Sequence, residues 1–175
     1  QNVTVVVNAL PVISSITTSA TSICDGSSFQ MFANTDEAGP QTQPSGYDVT
    51  SAAALTGDEQ LFAVSFGTMN NVQSETCTTG YTDYTSTIAA PLVSRGATVP
   101  FSVTEDECDG ATYYSNGLSI YIDYNRDGDF NDVDEQAYTT TATSAAASGA
   151  PNIRSGNIVI PTTASLGVTR MRVVM

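Results

Sequence analysis

Asp123-Tyr124-Asn125-Arg126-Asp127-Gly128-Asp129-Phe130-Asn131-Asp132-Val133-Asp134-Glu135 reads D-x-N-x-D-G-D-F-N-D-x-D-E. Oxygen side chains recur at every second position, a glycine follows, and further oxygens come after it. A hard dication such as Ca2+ takes six to eight oxygen ligands, and alternate residues of a looped chain can turn inward to supply them. Asp123, Asn125 and Asp127 take the first three such positions, and Gly128 permits the sharp reversal. Asp129 contributes its backbone carbonyl, and Asn131 reaches the ion directly or through water. Asp134 stands where a closing bidentate carboxylate is expected. Glu135, one residue on, has the longer reach and is preferred. Phe130 is expected to anchor the loop to the core. A solvated acidic turn would account for the D-G and N-D pairs, but turns occupy only about two to five residues and need no such spacing.

The flanks of this loop set the fold class. Leu118-Ser119-Ile120-Tyr121-Ile122 alternates with the period of a strand. Ala137-Tyr138-Thr139-Thr140-Thr141 is β-prone and poor in helix formers. The loop therefore joins two strands and is not a helix-loop-helix hand.

The whole composition agrees. Thr, Ser, Ala, Val and Gly dominate, while helix-favouring runs are missing, so the chain is expected to be all-β. The net charge is −13, with no His, no Lys and no Trp. Such a balance disfavours nucleic acid and anionic membranes as partners. Ten of the 18 acidic residues fall in 105–109 and 123–135, a concentration that points to ion binding. No apolar run is long enough for a membrane-spanning helix, so no membrane insertion is expected. The three cysteines are Cys24, Cys77 and Cys108. In an acidic chain with a calcium loop they indicate an extracellular or cell-surface location and partial disulfide bonding. A Cys77–Cys108 bridge is the expected pair, closing a long loop and stabilising by about 2–5 kcal/mol, with Cys24 left over.

Three parts are expected along the chain. Residues 1–11 form an N-terminal extension strand, in which Val3, Val5 and Val7 share one face before Pro11 ends the ladder. It is too short for a domain and must add to a sheet made elsewhere. Residues 12–57 hold a hairpin around Asp25-Gly26 and a polar linker. Residues 58–175 carry the remaining strands: Leu61–Phe66, Thr98–Thr104, Leu118–Ile122, Asn157–Ile160 and Arg170–Met175. Gly67–Asn71 and Val93–Gly96 read as turns, as does the acidic Glu105–Gly110, where solvated charge is preferred over a contribution to the metal. Pro100 suggests an edge or a strand end. Thr139–Gly149 is low in complexity and reads as a loop.

The strand-Ala9-Leu10-Pro11 junction followed by Ile23-Cys24-Asp25-Gly26 resembles seams between immunoglobulin-like repeats of bacterial surface proteins. Residues 58–175 resemble the GEVED domain of secreted and surface proteins of Bacteroidota. The carriers are Val64-Ser65-Phe66-Gly67-Thr68-Met69-Asn70-Asn71, Gly80-Tyr81-Thr82-Asp83-Tyr84-Thr85, Ile120 to Phe130, Ile160-Pro161-Thr162-Thr163-Ala164 and Thr169-Arg170-Met171-Arg172. The resemblance implies an antiparallel β-sandwich, jelly-roll or immunoglobulin-like, used as an accessory module of exoproteins and adhesins. The family's namesake G-E-V-E-D and its closing strand would follow Met175.

With no His and no Lys, the commonest general base and the amine nucleophile are absent. No nucleophile elbow or metalloprotease His pair is present either. No enzyme is expected. The favoured expectation is a calcium-stabilised structural subunit or repeat of an extracellular bacterial filament or surface adhesin. It would self-associate by donating the strand of residues 1–8 into an open edge of a neighbour, or sit among tandem neighbouring domains. The alternative is a carbohydrate-binding accessory module, with surface glycans as partners and Tyr113, Tyr114, Tyr121 and Tyr124 as stacking faces.

Overall fold

The computed structural model describes residues 1–8, 13–18, 31–35, 44–47, 59–72, 81–108, 114–142 and 151–175. The regular structure in these residues is entirely β. In chain order the strands are β1 (Asn2–Asn8), β2 (Ile13–Thr18), β3 (Met31–Thr35), β4 (Glu59–Phe66), β5 (Met69–Val72), β6 (Leu92–Ser94), β7 (Thr98–Glu107), β8 (Ser119–Ile122), β9 (Gln136–Thr139), β10 (Asn152–Val159) and β11 (Gly167–Val174). Five of them form one sheet in the order β6-β1-β11-β8-β9. Four form a second sheet, β10-β7-β4-β5, and β2 pairs with β3. The two larger sheets pack face to face as a β-sandwich, as expected. Cys24, Cys77, Tyr113, the Asp25-Gly26 turn and most of the 35–57 and 139–149 stretches lie outside the described residues.

Alternation along each strand builds the core. Val3, Val5 and Val7 of β1, Ile120 and Ile122 of β8, and Met171 and Val173 of β11 face inward from one sheet. Val64 and Phe66 of β4, Val99, Phe101 and Val103 of β7, and Ile158 of β10 face them from the other. Each such side chain contributes about 1.5–3 kcal/mol on burial.

The N-terminal strand does not stand apart in this chain. It lies between β6 and β11, antiparallel to β11 with Val3 opposite Met171 and Val5 opposite Thr169. Against β6 it runs parallel, with Val6 opposite Leu92 and Val7 opposite Val93. In this chain the edge of β11 is covered by the chain's own β1. The parity of the three valines carries them into the core beside Met171 and Val173, and both backbone edges of β1 find partners. One pair of the sandwich, β1 with β6, departs from the antiparallel expectation.

Several local expectations change for identifiable reasons. The turn expected over Gly67–Asn71 shrinks to Gly67 and Thr68, because β5 starts at Met69 and pairs back onto Phe66. Gly67 has φ +57°, the positive angle that a tight two-residue hairpin requires at its first central position. Val93 and Ser94 belong to β6, and the turn begins after them. Pro100 lies inside β7, which is flanked by β10 and β4 and is not an edge. Its carbonyl accepts from the Gly67 N–H at 2.9 Å, on the β4 side, just past the end of that strand. A residue's N–H and C=O point to the same side of a strand, so the N–H that proline lacks would face Gly67, past the end of β4, and no bond within the β4–β7 ladder is lost.

The acidic stretch is not a turn up to Glu107, since β7 continues through it. Glu105 is fully buried. It accepts from Arg154 Nε at 2.9 Å and from Asn152 Nδ2 at 2.8 Å, both on β10. Arg154 also donates to Thr140 Oγ1 at 3.2 Å and to the Asn116 carbonyl. Removing one member of such a pair leaves an uncompensated charge in the interior. Arg154→Ala should therefore lower the unfolding free energy by about 3–5 kcal/mol. Replacing Arg154 and Glu105 together with Met and Leu should recover most of that loss. Urea unfolding of the three proteins checks this, and a single-variant loss below about 1 kcal/mol would mean that the pair behaves as a solvated one.

Candidate metal centre

The oxygen-rich loop connects β8 to β9, which are neighbours in the first sheet. Because Ile120 and Ile122 point into the core, Tyr121 and Asp123 fall on the outer face of that sheet. The loop is pinned where it leaves the ladder. Ile122 N–H donates to the Glu135 carbonyl at 2.9 Å, and Asp123 N–H donates to the Arg170 carbonyl at 3.1 Å. Thr169 Oγ1 donates to the Asp123 carbonyl at 2.7 Å.

From Asp123 onward, side-chain oxygens organise the backbone. Asn125 Oδ1 accepts from Asp127 N–H at 2.9 Å, Asp127 Oδ1 from Asp129 N–H at 3.1 Å, and Asp129 Oδ1 from Asn131 N–H at 2.8 Å. Asp123 accepts from the N–H groups of Arg126 and Gly128. Each of these bonds folds an Asx side chain over the following residues, so consecutive carboxylates converge on one concavity. The reversal takes Arg126 to φ +66° and Gly128 to φ +97°. A Cβ on Gly128 would collide with the Ser45 carbonyl oxygen, so glycine is required there by contact as well as by φ.

Two groups of acids result. Oxygens of Asp123, Asp127 and Glu135 lie within 4.8 Å of one another, and so do oxygens of Asp127, Asp129 and Asp132. Asp127 is common to both. Asn125 joins them through its amide nitrogen, 2.9 Å from Asp127 Oδ2 and 2.5 Å from Asp132 Oδ2. Asn131 takes part through its backbone N–H. Asp134 is exposed. Glu135 is buried, and one of its oxygens accepts from Tyr124 N–H at 3.0 Å. Its other oxygen, Oε2, is buried with no hydrogen-bond partner.

The electrostatics follow this geometry. Burial, then the neighbouring Asp123 charge, pushes Glu135 up to about 7. Asp127 is held below the usual carboxylate range by the Asn125 side chain and the Asp129 N–H. Burial, and after it the Glu135 charge, raises the Tyr124 phenol. Converging carboxylates repel one another unless a cation lies between them. A donor set made of oxygen alone, with one orphaned buried oxygen, fits a hard dication.

Phe130 differs from expectation. Its ring packs outside the first sheet, 5.2 Å from the Tyr47 ring and 6.2 Å from the Tyr121 ring, with the Arg172 guanidinium 4.7 Å from its centroid. The loop folds onto the outer face because its first residue, Asp123, already points that way. Glu105, the buried acid of the 105–109 stretch, belongs to the Arg154 network instead of the loop.

Three participants lie beyond the ligands expected from sequence. Asp132 is another acid in the same run. Tyr47 reads from sequence only as a possible anchor of the polar 35–57 stretch, and Thr169 only as part of the family resemblance; the fold alone brings them to Asp123. The Tyr47 hydroxyl donates to Asp123 Oδ2 and lies 3.3 Å from Thr169 Oγ1. Beside the loop is a cleft of about 350 Å³, walled by Tyr124, Asp132, Val133, Glu135, Pro161 and Ala164 among others.

A family model of the GEVED domain matches residues 117–175, which hold β8, the oxygen-rich loop, β9, β10 and β11. The match begins later than the resemblance noted over 58–175. No curated protein and no solved structure matches the chain.

Glu135 makes the metal-free protein sensitive to pH. A carboxyl whose folded pKa is raised binds more protons when folded than when unfolded between the two values. Its contribution is therefore fully present below the unfolded pKa and is lost as pH rises towards about 7. Thermal melts in chelator should show a falling midpoint from pH 4.5 to 7, and Glu135→Gln should remove that part of the slope. Identical slopes in the two proteins would contradict the assignment.

Proposed function

We propose that this chain is a calcium-stabilised structural subunit or repeat of an extracellular bacterial filament or surface adhesin. The observation that carries the calcium reading is the orphaned, buried Glu135 Oε2 beside the carboxylates of Asp123 and Asp127. Asp123, Asn125, Asp127, Asp129 and Glu135 hold one Ca2+ in this reading, with Asn131 at the rim and Asp132 supporting Asp127. An ion that binds the folded state at one hundred times its Kd adds about 2.7 kcal/mol. Chelation should lower the melting midpoint by several degrees, and Asp127→Ala should act like chelation. A midpoint that chelator leaves unmoved, with no metal found by elemental analysis, would sink the reading.

The surface setting draws on the acidic, Lys-free composition, on the GEVED match and on the resemblance of the N-terminal junction to bacterial surface repeats. Absent His and Lys support a non-enzymatic role. Cys108, just past the end of β7, pairs with Cys77 in this reading.

Assembly in this reading works by exchange of β1 between copies. The strand occupies a slot between β6 and β11 and carries three inward valines. A neighbour's β1 fits that slot in the same register, which gives a head-to-tail contact and, repeated, a fibre. Val6 and Val168 are register partners across the β1–β11 pair. With Val6→Cys and Val168→Cys, the new disulfide closes within one chain or links different chains. A ladder of cross-linked species on a non-reducing gel is expected at filament-forming concentration. Monomers alone would rule out strand exchange.

A second reading, glycan binding, is favoured by the cleft beside the loop and by the exposed ring of Tyr114. A glycan array probed with and without Ca2+ separates it from a purely structural role.

A further inference from the structure

Residues 44–47 lie outside both the oxygen-rich loop and the matched 117–175 segment, yet they cover the loop's first ligand. Asp123 stands on the outer face of the first sheet, where an aspartate ordinarily meets water. It is instead fully buried. Three features of the 44–47 segment place it against Asp123 and its loop. The Tyr47 hydroxyl donates to Asp123 Oδ2. The Tyr47 ring lies 5.2 Å from the Phe130 ring and 4.5 Å beneath the Arg170 guanidinium. The Ser45 carbonyl sits so close to Gly128 that no Cβ fits between them.

We infer that residues 44–47 are a strap whose Tyr47 positions Asp123 for the cation, so that ion binding and strap docking stabilise one another. The inference rests on the calcium reading. Tyr47 is a positioning residue and touches the ligand, not the ion. A donor on the outer side of a ligating carboxylate fixes its rotamer and aims its other lone pairs at the metal. Loss of such a partner typically weakens metal affinity about ten- to a hundred-fold. Phe130 and Gly128, on the loop itself, form the other side of the same contact. A loop ordered around an ion therefore presents the surface that the strap needs. By linkage, the factor by which the docked strap tightens the ion equals the factor by which the ion favours docking.

The test uses Ca2+ itself as the probe, titrated calorimetrically into the full chain and into Tyr47→Phe. The phenylalanine keeps the ring contacts with Phe130 and Arg170 and removes only the hydroxyl. A Kd weaker by about ten-fold or more is expected in the variant. Hydrogen exchange of the unsubstituted protein gives a second readout, which does not depend on the variant folding. Amides of residues 45–47 should exchange more slowly with Ca2+ than with chelator. If the unsubstituted chain takes up no Ca2+ at all, both the calcium reading and the strap fall. If it binds Ca2+ while Tyr47→Phe stays within two-fold and exchange at 45–47 is indifferent to the ion, the strap alone falls.

Discussion

Asp123 is the point through which the oxygen-rich loop and its surroundings are tied together. It accepts from Arg126, Gly128 and Tyr47, while its own backbone bonds to Arg170 and Thr169. One residue thus joins the loop, the last strand and a segment 76 residues away. A buried carboxylate survives only when its lone pairs are satisfied. Every element that satisfies Asp123 is therefore fixed by it in turn. The reversal at Gly128 and the stacking of Phe130 on the outer face are consequences of where that carboxylate sits.

The sandwich supplies the rigid frame for this arrangement. β11 is the central strand of its sheet, and it presents opposite faces to opposite tasks. Met171 and Val173 pack inward, while Arg170 and Arg172 lie over the rings of Tyr47 and Phe130. The loop is thereby held over the outer face by cation–π contacts, each worth about 0.5–2 kcal/mol. The other charged network, Glu105 with Arg154, lies on the second sheet and serves the fold. The two acidic stretches look alike in sequence but differ in what surrounds them. Glu105 meets the Arg154 guanidinium at hydrogen-bond distance, whereas the carboxylates of the loop converge on one another.

The proposed assembly turns on β1. It is short, and its neighbours β6 and β11 are distant in sequence, so its place in the sheet is made entirely by long-range pairing. Nothing in its local chemistry distinguishes a slot in its own chain from the same slot in a copy. Loop-closure entropy favours the first at low concentration, and mass action favours the second as concentration rises.

The sequence by itself determined the β class, the inward residues of β1, β8 and β11 and the spacing of oxygens in the loop, because these depend on periodicity and spacing within a few residues. It did not determine β5, β6 or the acidic end of β7, which read as turns until the sheets pair them. The alternation of Val3, Val5 and Val7, of Ile120 and Ile122, and of Met171 and Val173 could be read directly. So could the repeat of oxygens from Asp123 to Glu135. What tertiary structure alone decided was which elements meet. The partner of β1, the burial of Glu105 against Arg154, the outward packing of Phe130 and the arrival of Tyr47 at Asp123 all join residues far apart in the chain. No local pattern encodes such meetings. They follow from sheet order and from the need of each buried polar group to find a partner once the sandwich has closed.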